Sequence, residues 1–354
     1  MQRLVAFEIA AALSWTGASL AGPSGPTAAF KAWSAACDNT RSCTAIGFTE
    51  NAAEPGPHLF ITRGAGAGDA PKVEIGLGYN DGVDALKAGD RVEIAIDGPA
   101  PLRFTADIRR GPESYDWPEV VFPAGRTDAF LAALLQGRRM TVSHAGQILG
   151  ATSLEGASAS LRWVDDQQKR AGTVTALVAR GPRPASSVPA APEQPVVRLA
   201  PAVSQSDLPS PPAALLGRAD VRECASNYEE EEMRGPRASR LSATEYLWHV
   251  PCGAGAYNFN ALFIIARADG SGARSPGFDA MPQEPDHLIN ASYDPKTRIL
   301  ESFAKGRGVG DCGLEARWAW DGRAFQLIHM RRMDECLGVT SEHWPVLWRA
   351  RTRN

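Results

Sequence analysis

Between Asn290 and Gly322 the chain reads NASYDPKTRILESFAKGRGVGDCGLEARWAWDG, and no other stretch is as specific in the chemistry it could do. Lys305 and Arg307 set two cations on a glycine-spaced loop bounded by Asp311 and Cys312. Such a loop, if rigid, loses little entropy on meeting an anionic group or a pair of carboxylates. The same residues also allow a structural arrangement, with Arg307 paired to Asp311 and the glycines serving tight turns. Trp318 and Trp320 stand two apart in a strand-like run, so their indoles share a face. Stacked indoles bind sugars, and they also fill the core of small β domains.

Gly308, Gly310 and Gly313 spell G-x-G-x-x-G, but the following LEARWAWDG reads as strand. A dinucleotide site needs a helix there, so nucleotide binding is not expected. Nor does a catalytic set emerge. No G-x-S-x-G elbow occurs, and His249, His287, His329 and His343 have no evident Ser or Cys partner. Asp165 and Asp166 are adjacent in a helix that reads as solvated, where neighbours point in different directions. The reading leans to a non-catalytic protein with no cofactor. The net charge of -3 lacks the basic excess a nucleic-acid binder uses against phosphates.

Six cysteines, at 37, 43, 224, 252, 312 and 336, are an even number in a chain that reads as exported, which implies disulfides. Sequence proximity favours the neighbour pairs Cys37–Cys43, Cys224–Cys252 and Cys312–Cys336. A metal site is not expected, because no CxxC or HxxxH spacing exists and the six histidines are scattered.

The elements that must position these residues are mostly strands. Arg3 followed by the apolar run from Leu4 to Trp15 and small residues at Ser19 to Ala21 reads as a signal peptide over 1–21. The remaining chain has no apolar run long enough to span a membrane, so the processed protein is not membrane-spanning. Trp33 to Phe48 reads as a disulfide-clamped hairpin about an Asp38-Asn39-Thr40-Arg41 turn. HLFITRG (58–64), PKVEIGLGY (71–79), DRVEIAIDG (90–98) and LRFTADI (102–108) read as strands, punctuated by Gly and Pro as in a β-sandwich or barrel. Helical spacing appears from Thr127, a candidate N-cap, to Gln136, and again from Ala157 to Gln168. TVTALVARG (173–181) reads as a last strand or an extension of that helix.

Residues 183–212 are rich in Pro, Ala and Ser and read as a semi-extended linker between domains at 28–182 and 213–354. After a helical entry at 213–223, the run Glu229 to Glu232 reads as a solvated face rather than a calcium site. EYLWHVPCG, YNFNALFIIARADG, the hairpin about Tyr293-Asp294-Pro295-Lys296, the Asp321-Gly322 hairpin and HWPVLWRAR are strands. The fold class is therefore mostly antiparallel β, with a few short helices.

The motif with Trp33, Cys37, Asp38, Asn39 and Cys43, the stretch LWHVPCGAGAYN, and NASYDPKTRILESFAKGRGVGDCG followed by WAWDG together resemble a proteobacterial periplasmic family, domain of unknown function 1176. That resemblance implies export and a periplasmic location, and no reaction. The first domain separately resembles the invasion-associated locus B family through Trp33, Cys37, Cys43, AFLAALLQGRRMTVS and the stretch Ser153 to Leu161. That family's second cysteine pair is missing here, so its link with host-cell invasion is not carried over. The function expected is binding of a protein or cell-envelope component through Lys305, Arg307 and Asp311. Two alternatives are inhibition of a lysozyme-type hydrolase by the cation pair and a carbohydrate-active enzyme or glycan binder using Trp318 and Trp320.

Overall fold

Alternation of apolar and polar residues drives the first half into a single antiparallel sheet. The computed structural model describes residues 24–50, 56–78, 80–99, 101–110, 118–227, 235–278 and 286–354. The leader over 1–21 and the acidic run Glu229 to Glu232 lie outside the described residues. The first five strands are β1 Thr27–Phe30, β2 Trp33–Cys37, β3 Cys43–Gly47, β4 His58–Arg63 and β5 Lys72–Gly76. Then come β6 Arg91–Ile96, β7 Leu102–Arg109, β8 Glu119–Val120, β9 Arg139–His144 and β10 Gln147–Ser153. They hydrogen-bond in the order β1-β2-β3-β4-β5-β8-β7-β6-β9-β10. The sheet curls until β10 meets the end of β3, through a Thr49–Thr152 bridge and the Glu50 N–H donating to Ala151 O at 3.0 Å.

Val73 and Ile75, then Val92, Ile94 and Ile96, then Phe104, Ala106 and Ile108 line one face of this sheet. Between β1 and β10, α1 is Asp81–Asp84 and α2 is Thr127–Leu134, and α3, Ala157–Gln167, follows β10. Phe130 and Leu134 of α2 and Leu161 and Val164 of α3 complete the core, each buried side chain contributing roughly 1.5–3 kcal/mol. Helix α2 begins at Thr127 itself and its N-cap is Arg126, without a side-chain bond, so Thr127 is not the cap.

The segment 173–181 is neither strand nor helix but a series of turns. Asp165 explains why: it is fully buried rather than solvated, and its carboxylate accepts the N–H groups of Leu177 (2.8 Å), Val178 (2.8 Å) and Ala179 (3.1 Å). A carboxylate satisfied by three amides fixes a loop that has no ladder of its own. Its neighbour Asp166 is exposed, as adjacent helical positions require.

Residues 183–212 are mostly extended and carry one short strand, β11 Val196–Arg198, paired in parallel with the terminal strand β21 Arg351–Arg353. The segment is held by its backbone, Leu199 N–H donating to Arg353 O at 2.8 Å and Ala200 N–H to Trp320 O at 3.0 Å, and by the Gln205 side chain, which exchanges hydrogen bonds with the backbone of Arg240. Two short helices, α4 Ala213–Leu216 and α5 Ala219–Ser226, lead into the second half.

There, β12 Arg237–Arg240, β13 Tyr246–Ala254, β14 Phe259–Ala266 and β15 His287–Ile289 form one sheet. The other comprises β16 Ser292–Asp294, β17 Ile299–Lys305, β18 Gly313–Trp320, β19 Phe325–Met333 and β20 Val346–Arg349. Leu247, Phe263 and Ile265 of the first sheet pack with Trp318, Trp320, Phe325 and Leu327 of the second. The outer face of β13 and β14, with Trp248, Val250, Leu262 and Ile264, is covered by Leu215, Val221 and Cys224 from α4 and α5.

The halves share a seam. Leu59 and Ile61 of β4 face the first core, while Phe60 with Ile46 and Phe48 packs on Met333, Val339 and Trp344 of the second half. A strand buried on both faces explains why Leu59, Phe60 and Ile61 are three consecutive apolar residues rather than alternating with polar ones. At the first hairpin, Asn39 exchanges two hydrogen bonds of 2.9 Å with the backbone of Arg349, whose guanidinium also meets Asp38.

Candidate functional site

Strands β17 and β18 pair up to Lys305 opposite Gly313, which leaves 306–312 as the connecting loop. Gly313 has φ +137°, and a Cβ there would lie 2.1 Å from Ala304 O, so the position admits glycine alone. The Gly306 N–H donates to Cys312 O at 2.8 Å, and Gly310 N–H closes a turn onto Arg307 O at 2.9 Å. Gly308, Gly310 and Gly313 thus shape a strand-to-strand loop, with no helix following for a nucleotide phosphate.

Asp311 sits at the centre of the loop's fixation. It is 5% exposed and takes the guanidinium of Arg307 as a fork, Nε to Oδ1 at 2.7 Å and Nη2 to Oδ2. Its Oδ2 also accepts the Gly338 N–H at 2.6 Å, tying the loop to the turn after β19. Burial pushes the Asp311 carboxyl up, but the fork from Arg307 and the Gly338 amide outweigh it and hold the group below the usual carboxylate range. The Cys312–Cys336 disulfide anchors the same junction. All three disulfides join sequence neighbours as expected, the others being Cys37–Cys43 and Cys224–Cys252.

A third anchor comes from two asparagines. Asn258 Nδ2 donates to Lys305 O at 2.9 Å and its Oδ1 accepts from Lys305 N–H at 3.2 Å. Asn290, in the left-handed region at φ +47°, donates to Asn258 Oδ1 at 3.0 Å and to Phe303 O at 2.9 Å. The loop is therefore held from 258, 290 and 336–338 together.

On this frame sit side chains that face water. Val309, at the loop tip, is 78% exposed, and the half-exposed ring of Tyr257 lies close against Gly308, where a Cβ would be 3.2 Å from Cδ1. The Lys305 ammonium is 5.8 Å from the Phe303 ring centroid and makes no ion pair among the described residues. Lys305 also borders a groove of about 660 Å³ whose floor includes Leu314, Met330, Met333 and Leu347. Arg332 at its rim is already paired with Asp334 at 2.6 Å.

The structure thus brings Lys305, Arg307 and Asp311 together and sets Trp318 and Trp320 apart. Both indoles are buried between the sheets, 0% and 1% exposed, so neither offers a face to a sugar. The reason is that β18 is covered on that side by Phe263 and Phe325. The loop presents one available cation rather than two, because Arg307 is engaged by Asp311. A hydrolase inhibitor built on opposing two catalytic carboxylates loses its basis. Sequence reasoning missed Asn258, Asn290, Tyr257 and Val309; of these only Asn290 carried a signal, as an asparagine between strands where positive φ is common.

The family described as Protein of unknown function (DUF1176) matches residues 27–351. The chain belongs to it. It is 30% identical over 339 residues to Uncharacterized protein YpfG of Escherichia coli (strain K12), across 90% of this chain and 92% of that protein. Among solved structures, invasion associated protein b from Bartonella henselae matches 41% of this chain and 99% of that chain, at 16% identity and a TM-score of 0.29. That likeness is too slight to bear on fold or role. Among the described residues no helix is long and apolar enough to cross a membrane.

Proposed function

We propose that this is an exported, periplasmic, non-catalytic protein that binds a protein of the cell envelope through the 305–311 loop. The observation that carries this reading is Val309, 78% exposed on a loop fixed by a disulfide, a buried carboxylate and two asparagines. An apolar tip held out to water on a rigid frame gains burial on contact and loses little entropy. Tyr257 beside it supplies an aromatic of the kind that dominates interface energetics. Lys305 adds one available cation, so the fitting partner surface pairs an apolar pocket with a carboxylate. Three disulfides support an oxidising compartment. Residues 28–182 and 213–354 are its two domains in this proposal, a division supported by their largely separate cores.

The test is quantitative cross-linking capture from a periplasmic extract, read by mass spectrometry. The mature protein is compared with a Lys305→Ala, Val309→Asp double variant and with Ile148→Ala, a substitution at an exposed residue (65%) in the first half. A partner enriched by the wild type and by Ile148→Ala, and lost with the double variant, supports the proposal. Equal capture by all three proteins, or no enriched partner, overturns it. Arg307 is left intact because its removal would strand the buried Asp311 carboxylate.

A further inference from the structure

We infer that reduction of the Cys224–Cys252 disulfide converts it into a zinc site completed by His287. The geometry starts from the sheet β12-β13-β14-β15. Leu262 of β14 pairs with Val250 of β13 on one side and His287 of β15 on the other, so the three side chains stand in one row on one face. Cys252 lies two residues beyond Val250, within the irregularity between Pro251 and Ala254, and packs against the same core cluster as Val250 and Leu262. Helix α5 covers that face and brings Cys224, buried at 1% exposure, against the end of β13.

The result is one cluster of three soft or borderline donors. Two sulfurs and an imidazole nitrogen lie within 4.8 Å of one another, the one such grouping among the described residues. His287 Nε2 is 3.6 Å from Cys252 Sγ. Zinc–sulfur and zinc–nitrogen bonds of about 2.3 and 2.05 Å, opened to the tetrahedral angle, put sulfur and nitrogen about 3.6 Å apart. His287 is therefore already placed at the ligand-to-ligand spacing that a tetrahedral centre requires. Neither other disulfide has a histidine in such a cluster among the described residues.

The chemistry balances with a dithiol as reductant. Its thiolate attacks the sulfur of Cys252, the less buried residue of the pair, and expels Cys224 as thiolate; its second thiolate then displaces Cys252 and leaves as a cyclic disulfide. Two electrons and two protons pass from the dithiol to the pair. Zinc displaces the two thiol protons and binds two thiolates and one imidazole, with a water completing the four. Re-oxidation by a small-molecule disulfide takes the two electrons back and releases the ion. The disulfide is then a switch between a covalent staple and a Cys-Cys-His centre, which the sequence spacing 224, 252, 287 does not announce.

The experiment loads the full-length mature protein, oxidised or reduced by a phosphine, with zinc and in parallel with cobalt(II). Binding is followed by calorimetry, coordination by the cobalt spectrum, and folding by far-ultraviolet circular dichroism. One zinc per reduced chain is expected, with thiolate-to-cobalt charge transfer and tetrahedral d–d bands, and none for the oxidised chain. His287→Ala should weaken binding by roughly tenfold or more, His287→Cys should restore it, and Cys37→Ser with Cys43→Ser should retain it. Equal affinity in His287→Ala, an octahedral cobalt spectrum, or reduced protein that unfolds without rescue by zinc each overturns the inference.

Discussion

Acidification should weaken the seam between the halves through one residue, His58. It is fully buried at the start of β4, and burial, then the nearby His343, pushes its pKa from 6.5 down to about 3. Its Nδ1 accepts the Thr49 N–H at 3.3 Å, which fixes the neutral tautomer with the proton on Nε2. A second proton would set N–H against N–H in an apolar site. Between about 3 and 6.5 the unfolded chain binds a proton that the folded one refuses, so stability is full above 6.5 and drains as pH falls. With these two values, the loss between pH 7 and 5 is about 2 kcal/mol from this one group. The assay is urea unfolding of wild type and His58→Gln at both pH values, comparing the pH-dependent change rather than absolute stability. His249, lowered by burial, and His329, pushed to about 4 by burial and three arginines, act in the same direction and remain in both proteins. The variant should therefore lose about 2 kcal/mol less than wild type on acidification. An identical loss in both would refute the assignment of a buried neutral imidazole to position 58.

Two further substitutions test how loops are fixed. Asp165→Asn would turn an acceptor of three amides into a group with its own N–H donors in a sealed site, and should cost about 2–4 kcal/mol in urea unfolding at pH 7. Loss below about 1 kcal/mol would mean that the 173–181 turns hold without it. Gly313→Ala places a Cβ 2.1 Å from Ala304 O at a positive φ, so it should lower the melting temperature and expose the Cys312–Cys336 bond to reductant. A wild-type melt and wild-type reduction rate would contradict the loop geometry.

Most strand positions were legible because period-two alternation is a local signal: Val73 and Ile75, or Val92, Ile94 and Ile96, each disclose a buried face. The neighbour disulfides were legible for a similar reason, since separations of 6, 28 and 24 residues keep each pair within one supersecondary unit. Burial of a charged residue left no such trace. Asp165 and Asp166 look alike in sequence, and only the amides of Leu177, Val178 and Ala179 distinguish them. At the site, the fork of Arg307 on Asp311 was one of two open arrangements, because a four-residue spacing in a glycine loop does not fix which cation is satisfied internally. Tyr257 and Val309 were invisible, as exposure is a property of what fails to cover a side chain. The seam was equally silent: Asn39 and Arg349 are 310 residues apart, too far for any local pattern.

That seam and the proposed binding loop are physically one system. His58 is hydrogen-bonded with the backbone of Leu337, and the next residue, Gly338, donates its N–H to Asp311 at 2.6 Å. Asp311 in turn holds Arg307, while Cys336, one residue before Leu337, is bonded to Cys312. The turn 336–338 therefore carries the disulfide, the imidazole and the carboxylate on three consecutive residues. The second proton goes to Nδ1, against the Thr49 N–H, whereas the Leu337 bond and the nearby Asp311 favour the charged ring, so the strain of acidification falls on the Thr49 side rather than on the turn 336–338.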